Sequence, residues 1–185
     1  ARMVLYKGQT TLPDGRQGLV FYTNYDSRKS KELRENPFAA VVFHWPLRVQ
    51  QVRIEGSVVP APTELSDRYW NSRARGSQIS GTASPQSQEI ESFEWLQKQT
   101  ALIEKKYANQ SVAGGADAHP AHTNKSGGAS TSAGAGIPRP QNWGGYVLIP
   151  SRFEFWQGHA FRLHERAAFV PVTEGGSASS THSHS

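Results

Sequence analysis

Two stretches of low complexity, residues 109–137 and 174–185, limit what this chain can fold into. Both are rich in Gly, Ala, Ser and Thr, and neither has the apolar periodicity whose burial offsets the entropy of ordering a chain. We therefore predict that 109–137 is a flexible insertion and that 174–185 is a disordered tail. The remaining residues, 1–108 and 138–173, amount to roughly 140 positions, which suits one domain with a modest core.

Most of the foldable sequence predicts short β-strands. Residues 3–7 and 18–25 are apolar, β-branched or aromatic, and a Pro-Asp-Gly turn signal lies between them, so we expect a hairpin there. Residues 38–45 read as a continuous apolar strand, and residues 48–59 alternate as the next strand.

Helices are predicted at the periphery of these strands. Residues 27–35, 63–73 and 88–107 have capping residues or apolar positions near helical spacing. Strands and helices do not alternate as in a parallel sheet, and no glycine-rich dinucleotide loop follows a strand. The predicted fold class is therefore mainly β with peripheral helices, as in a small barrel.

Composition narrows the possible functions. The net charge of +5 is spread over mixed-sign runs without a nucleic-acid motif, so nucleic acid is a poor candidate partner, whereas a phosphorylated small molecule is compatible. The chain has no cysteine, which excludes disulfides, thiolate metal sites and cysteine nucleophiles and fits a reducing compartment such as the cytoplasm. No apolar run approaches membrane-spanning length, and we expect neither a membrane partner nor a metal site.

Aromatic, glycine and cationic residues are concentrated between Trp143 and Arg166. Alternation predicts strands there, with Arg162, His164 and Arg166 on a common face near Trp156. Two guanidinium groups beside an imidazole suit a planar anionic ligand, because Arg pairs with phosphate or carboxylate and His is a titratable donor. The same spacing also fits the exposed charged face of an edge strand.

Two further clusters are candidate anion sites. Tyr69 and Arg73 are one helical turn apart, and Ser77 follows after a glycine that permits a bend, so the three donors predict a phosphate clamp. Arg28 and Lys29 lie at the start of a predicted helix, where backbone amides also favour anions. A solvated helix face and a surface charge run are the alternatives for these two clusters.

A series of motifs runs through the chain in the order RMVLYKG, FYTNYDSRKSKEL, NPFAAVVFHW, QVRIEG, YWNSRARGSQI, SPQS, WGGY and EFWQGHAFRLHER. Together they resemble the pyridoxamine 5'-phosphate oxidase family, also called pyridoxine 5'-phosphate oxidase, from Arg2 to about Phe169. The resemblance implies an FMN-binding split β-barrel that works as a homodimer with FMN at the subunit interface. It also implies oxidation of pyridoxamine or pyridoxine 5'-phosphate to pyridoxal 5'-phosphate, with O2 as acceptor and H2O2 as by-product.

The resemblance also assigns site residues. Family FMN contacts carry over to Arg2, Met3, Val4, Leu5, Tyr6, Lys7, Tyr22, Thr23, Arg28, Lys29, Gln51, Gln86, Ser87, Trp156 and Arg166. Family substrate contacts carry over to Lys7, Tyr69, Arg73, Ser77, Arg162 and His164. Among these, Arg162 and His164 are the implied catalytic residues, which hold the reacting C4' carbon over the flavin and manage the proton that the substrate loses.

The chain departs from the family pattern at several points. Gln50 stands where the family usually has Arg, Ala74 replaces a proline, and Glu165 replaces Asp in the RLHDR motif. We also expect the family's first strand and its terminal strand to be missing. Two alternatives to the oxidase therefore stay open: a truncated, non-catalytic homologue that binds FMN or pyridoxal phosphate, and another split-barrel flavin or deazaflavin reductase.

Overall fold

The structure is a computed structural model that describes residues 1–108, 136–171 and 181–184. In these residues the strands are β1 (Gln9–Thr11), β2 (Gln17–Asn24), β3 (Phe38–Trp45), β4 (Gln50–Pro60), β5 (Trp143–Gln157), β6 (Glu165–Phe169) and β7 (Thr181–His184). The helices are α1 (Arg28–Glu35), α2 (Thr63–Ser72), α3 (Arg75–Ala83) and α4 (Phe93–Lys106). None of these four helices is long and apolar enough to cross a membrane.

The chain divides into two compact units. The sheet unit comprises residues 1–21, 32–60 and 146–185, and the helical unit comprises residues 22–31 and 61–145. Because β2 and β5 are long strands, each contributes residues to both units. The expectation of one domain over 1–108 and 138–173 stays a prediction.

The strands form one sheet in the order β1-β2-β5-β4-β3. Strand β4 pairs antiparallel with β5 along residues 146–157, so β2 and β6 both pair with the opposite edge of β5. Among the described strands this path does not close, because β1 and β3 each have one neighbour. The predicted fold class, mainly β with peripheral helices, is confirmed, whereas the split-barrel arrangement stays a proposal.

A bulge in β5 interrupts the β4–β5 ladder. Glu55 pairs with Arg152 and Gly56 with Pro150, so Ser151 is the extra residue of the bulge, and its hydroxyl donates to the carbonyl of Glu55 at 3.3 Å. A Cβ atom at Gly56 would overlap the backbone carbonyl of Ile149. Glycine at this position therefore lets two strand backbones approach closely where the register shifts.

The helical unit packs around Trp70, Ile79, Ile137 and Trp143, all of which are buried. The indole Nε1 of Trp70 donates to the carbonyl oxygen of Ile137 at 2.7 Å. This bond satisfies the one polar group of a fully buried indole, as burial of tryptophan requires.

Residues 3–7 were predicted to form the first strand of a hairpin, and this prediction is wrong. The hairpin is instead made by β1 and β2, and Met3 and Leu5 are exposed. The chain bends at Gly8, whose φ is 95°, and the N–H of Lys7 bonds to the carbonyl of Val20 at 2.9 Å. A segment with strand-forming composition becomes a β-strand only where a neighbouring strand pairs with its backbone.

The helix predicted over 63–73 is confirmed as α2, but the separate helix α3 that follows was missed. The break between them lies at Arg73 and Ala74, whose ψ values of 145° and 146° are extended. Gly76, where a bend was expected, lies inside α3. The short polar sequence of α3 lacks the apolar periodicity that would have predicted it.

The helix predicted over 88–107 begins later, at Phe93. Ser92 occupies the N-cap, where its side-chain oxygen accepts a hydrogen bond from the N–H of Trp95 at 3.1 Å. The cap satisfies an amide that has no partner within the helix, and it therefore fixes the start.

Both low-complexity stretches lie mostly outside the described residues, and their flexibility is not tested there. Two local differences are visible. Ile137, predicted as the end of the flexible insertion, is fully buried, because its side chain completes the apolar core around Trp70. Residues 181–184 of the predicted disordered tail form β7 on the edge of β6, since backbone pairing to an open strand edge requires no particular side chains.

Candidate functional site

Three predicted flavin contacts, Thr23, Lys29 and Gln86, converge in the helical unit. The Lys29 ammonium donates to Thr23 Oγ1 at 2.7 Å and to Gln86 Oε1 at 2.8 Å. Thr23 Oγ1 in turn donates to Gln86 Oε1 at 2.9 Å. The oxygens of Thr23 and Gln86 thus position the Lys29 ammonium, a group whose charge suits an anionic ligand.

The turn before α1 supports this network. Ser27 and Ser30 are fully buried, and the Ser30 hydroxyl donates to the carbonyl of Asn24 at 2.9 Å. Ser27 Oγ also accepts from the Lys29 ammonium at 3.3 Å. Arg28, another predicted flavin contact, is the first residue of α1 and is exposed.

The predicted flavin contact Ser87 follows Gln86 in the loop after α3. Its φ is 65°, a left-handed conformation that residues with a side chain adopt uncommonly. Such conformations are found preferentially at ligand-binding sites, and this one lies directly beside the Lys29 network in sequence.

Three other predicted flavin contacts form a row across the sheet unit. Gln51 of β4 is the register partner of Trp156 of β5, which is the partner of Arg166 of β6. Directly paired residues of antiparallel strands project from the same face, so an amide, an indole and a guanidinium lie side by side. The sequence did not predict this row, because its three residues lie on different strands and are aligned only by the strand register.

The predicted catalytic residue His164 joins this row. Its ring centroid lies 4.9 Å from that of Trp156, with the planes tilted by 53°. His164 Nδ1 accepts a hydrogen bond from the N–H of His159 at 3.2 Å. When the imidazole is neutral, this bond leaves the proton on Nε2, so that nitrogen is the donor available to a ligand.

Arg162, His164 and Arg166 were predicted to share a strand face, and this prediction is wrong. Arg162 belongs to a 3-10 turn, His164 to the connection that follows, and only Arg166 to β6. Phe161 and Arg162 have φ values of 59° and 63°, so the chain turns sharply where strand alternation was assumed. The Arg162 side chain is exposed.

A cavity of about 320 Å³ opens at this end of the sheet unit. Its lining includes the row residues Gln51, Trp156 and Arg166. It also includes Val52 and Phe155, which alternation places on the opposite face of the strands. Only part of the cavity lining therefore belongs to the row.

The predicted phosphate clamp lies where α2 gives way to α3. Tyr69 is in the last turn of α2, Arg73 follows the helix end, and Ser77 is in the first turn of α3. The Nη1 atom of Arg73 is buried and has no hydrogen-bond partner among the described residues, and burial lowers the pKa of its guanidinium. A buried, unsatisfied cationic donor is the arrangement that an anionic ligand would complete.

Residues 2–7, assigned to flavin binding by the resemblance, lie in the sheet unit. Tyr6 meets Phe43 of β3 edge to face at a centroid distance of 5.3 Å. Met3 is almost fully exposed, and none of these residues forms a strand. The flavin-binding role of this segment stays a prediction.

The residue missed most clearly by sequence analysis is Trp143. Its ring is nearly parallel to that of Tyr22, with centroids 5.4 Å apart, and it also stacks on Tyr69 at 6.1 Å. It thereby connects a predicted flavin contact with a predicted substrate contact. The WGGY motif was a signal, but the partners of this tryptophan are distant in sequence.

The family models and the relatives that match this chain point to the same family. Residues 2–107 match the family described as pyridoxamine 5'-phosphate oxidase, and residues 143–180 match the pyridoxine 5'-phosphate oxidase C-terminal dimerisation region. The pyridoxine/pyridoxamine 5'-phosphate oxidase of Psychromonas ingrahamii is 42% identical over 172 residues, which cover 93% of this chain and 65% of the relative. The pyridoxine-5'-phosphate oxidase of Bos taurus is 40% identical over 169 residues, covering 91% and 53%. The chain thus spans between about half and two thirds of the length of these relatives.

Solved structures show the same fold. PhzG from Burkholderia lata 383, determined in complex with tetrahydrophenazine-1-carboxylic acid, superposes with a TM-score of 0.69 at 25% identity, covering 96% of this chain and 80% of that chain. A pyridoxamine 5'-phosphate oxidase-related, FMN binding protein from Nostoc punctiforme gives a TM-score of 0.60 at 13% identity, covering 99% and 78%. The second likeness concerns the fold alone.

Proposed function

The chain belongs to the pyridoxamine 5'-phosphate oxidase family, and on that basis we propose that it is an FMN-dependent oxidase. It oxidises pyridoxamine 5'-phosphate and pyridoxine 5'-phosphate to pyridoxal 5'-phosphate, with O2 as electron acceptor. The observation that carries the proposal is the row of Gln51, Trp156 and Arg166, with the His164 ring against Trp156. It brings residues assigned to the flavin next to a residue assigned to the reaction.

The donor set of the chain fits FMN. Lys29, positioned by Thr23 and Gln86, and the neighbouring Arg28 are cations that suit the dianionic phosphate of the cofactor. Gln51 and Arg166 can donate hydrogen bonds to the polar edge of a flavin ring, and Trp156 offers an aromatic surface. When bound, FMN accepts a hydride equivalent from the substrate and passes the electrons to O2, which becomes H2O2.

The proposed roles of Arg162 and His164 are to orient the substrate ring and to hold the proton that it loses. Neutral His164 with its proton on Nε2 donates to the substrate through that nitrogen. It takes up the substrate's proton at Nδ1, once the hydrogen bond that Nδ1 accepts from the N–H of His159 has opened. The Arg162 guanidinium provides a fixed fork of hydrogen-bond donors. The turn that carries Arg162 has two consecutive residues with positive φ, which gives this side chain a defined direction at the cost of local strain.

Tyr69, Arg73 and Ser77 bind the substrate phosphate in this proposal, together with Lys7. The buried Nη1 atom of Arg73, which has no partner among the described residues, supports this role. Ser77 adds a hydroxyl in the first turn of α3, where the positive end of the helix dipole also favours an anion.

The active form is proposed to be a homodimer with FMN at the subunit interface. The match to a C-terminal dimerisation region over residues 143–180 supports the dimer, and light scattering after size-exclusion chromatography would measure it. The cytoplasmic location stays a prediction, which subcellular fractionation would test.

Oxidase activity is tested with the purified chain, FMN, pyridoxamine 5'-phosphate and O2. We expect pyridoxal 5'-phosphate and H2O2 in equal amounts. Arg162→Ala should reduce kcat/KM by roughly 10²-fold or more, the lower bound for a positioned catalytic group, while FMN binding is retained. Arg152→Ala, which removes an exposed arginine of β5 outside the predicted site, is the matched control.

Two outcomes contradict the proposal. Equal loss of turnover and FMN binding in Arg162→Ala would mean that this residue acts on the cofactor or the fold rather than on the substrate. A folded, FMN-bound chain that forms neither product would favour the alternative, a truncated homologue that binds FMN or pyridoxal phosphate without turnover.

A further inference from the structure

Arg73 lies against two indole rings of the helical unit. Its Cζ atom is 5.0 Å from the centroid of the Trp70 ring and 4.9 Å from that of Trp143. Both distances are within the range of a cation–π interaction. The two rings are themselves 4.8 Å apart and tilted by 65°, so they present two differently oriented π faces to one guanidinium.

The two rings are rigidly held. Trp70 is fully buried and its Nε1 donates to the carbonyl of Ile137 at 2.7 Å. Trp143 is 6% exposed and stacks on Tyr22 with an interplanar angle of 4°. Neither ring can turn away from Arg73 without breaking these contacts.

The protein holds Arg73 by little else. The residue follows the last residue of α2 with an extended backbone, φ −74° and ψ 145°, so no helix fixes the direction of its side chain. Arg73 forms no ion pair with an Asp or Glu of the described chain, and its buried Nη1 has no hydrogen-bond partner there. Burial lowers the pKa of this guanidinium, as expected for a cation without a counter-charge.

We propose that Trp70 and Trp143 are positioning residues that hold the Arg73 guanidinium unpaired, so that it can bind the phosphate of the substrate. The inference rests on the proposed function, and it deepens that function by naming what gives the site its preference for phosphorylated ligands. The indoles attract the cation without using up its N–H donors, whereas a carboxylate partner would compete directly with a phosphate. The guanidinium N–H groups that the indoles leave unused are the donors for a phosphate oxygen.

The test compares binding of pyridoxal 5'-phosphate with binding of pyridoxal to the FMN-loaded protein. Loading with FMN fills the flavin phosphate site. The Kd of pyridoxal divided by the Kd of pyridoxal 5'-phosphate then measures how much the ligand phosphate contributes to binding, and this quotient is the ratio compared between variants. Trp143→Leu should reduce this ratio by about tenfold, the size of a partly desolvated cation–π contact. Trp143→Phe, which keeps an aromatic face, should recover part of the ratio.

Two controls separate positioning from general damage. Phe21→Leu removes a buried aromatic residue of the sheet unit, and its ratio should match that of the wild type. In an Arg73→Met background, Trp143→Leu should change the ratio no further, because the indole acts through the arginine. Thermal melting confirms that each variant is folded.

Each remaining outcome has a definite meaning. If Trp143→Leu weakens both ligands equally, or still lowers the ratio without Arg73, the tryptophan has only a structural role and the proposal is overturned. A wild-type protein without preference for the phosphorylated ligand would overturn the proposed function as well. A preference that is present but insensitive to Trp143 would overturn the positioning proposal alone.

Discussion

Replacing Ile137 by alanine measures how firmly the end of the low-complexity stretch is built into the helical unit. The side chain is fully buried beside Trp70, Ile79 and Trp143. Three carbon atoms are lost, and at about 0.8 kcal/mol per buried methylene the transfer contribution is about 2.4 kcal/mol. The cavity left among rigid indoles adds to this, so we expect a total loss of about 3 kcal/mol, within the range for buried aliphatic residues.

The assay is urea denaturation at one fixed protein concentration, followed by tryptophan fluorescence and by circular dichroism. A thermal melt gives a second measurement. At roughly 2–4 °C per kcal/mol for a chain of this size, a loss of about 3 kcal/mol lowers the Tm by roughly 6–12 °C. Leu102→Ala is the matched control, because it removes the same number of carbon atoms from a side chain that is 59% exposed. Its effect should stay within about 0.5 kcal/mol.

A loss below about 1 kcal/mol in Ile137→Ala would refute this reasoning, because burial alone predicts more than that. It would mean that residue 137 belongs to the flexible stretch, as the sequence predicted. A large loss in Leu102→Ala as well would point to a general fragility of the helical unit rather than to the packing of Ile137.

Three further predictions concern the backbone and one half-buried phenol, that of Tyr22. Ala74→Pro should stabilise the protein by about 0.4–1 kcal/mol in thermal or urea unfolding, because Ala74 has a φ of −56° and Arg73 before it is already extended; destabilisation would show that proline clashes there. Gly56→Ala should destabilise by about 1–3 kcal/mol, because its Cβ would meet the backbone of Ile149 rather than a movable side chain, and an unchanged urea midpoint would contradict this close approach. Burial raises the pKa of Tyr22 from 10.0 to about 12. As the pH rises, the phenol therefore ionises in the unfolded chain before it ionises in the folded protein, which favours unfolding. The free energy of unfolding consequently falls between pH 10 and about pH 12. Tyr22→Phe should therefore lose less stability than the wild type across that interval in urea titrations. Identical pH profiles would argue against a raised pKa of the Tyr22 phenol.

Helices and strands were predicted correctly where the pattern that defines them lies within the segment itself. The continuous apolar run of β3 and the helix α1 before Asn36 and Pro37 both formed as expected. Residues 3–7 did not form a strand, although their composition favours one, because a strand is stable only with a ladder partner. Helix α3 was missed because its polar residues carry no apolar stripe.

The candidate site was predicted as a set of residue types and motifs, not as an arrangement. The sequence identified Gln51, Trp156 and Arg166 through a family resemblance, but their side-by-side order depends on the register of three strands. It predicted a shared strand face for Arg162 and His164, whereas a turn with positive φ separates them from β6. Register and turn conformation are cooperative properties of the folded sheet, which no single segment contains.

The sequence by itself determined the fold class, the family and the chemistry available to the site, because these depend on residue types, short-range periodicity and motif order. Only the tertiary structure decided which groups meet. Arg73 lies against Trp70, three residues away, and against Trp143, in a strand remote in sequence. Lys29 likewise contacts Gln86, which is 57 residues away in the chain. Such contacts arise because apolar burial brings remote segments together, and each then fixes the environment of a charged group that its own neighbours in sequence leave undefined.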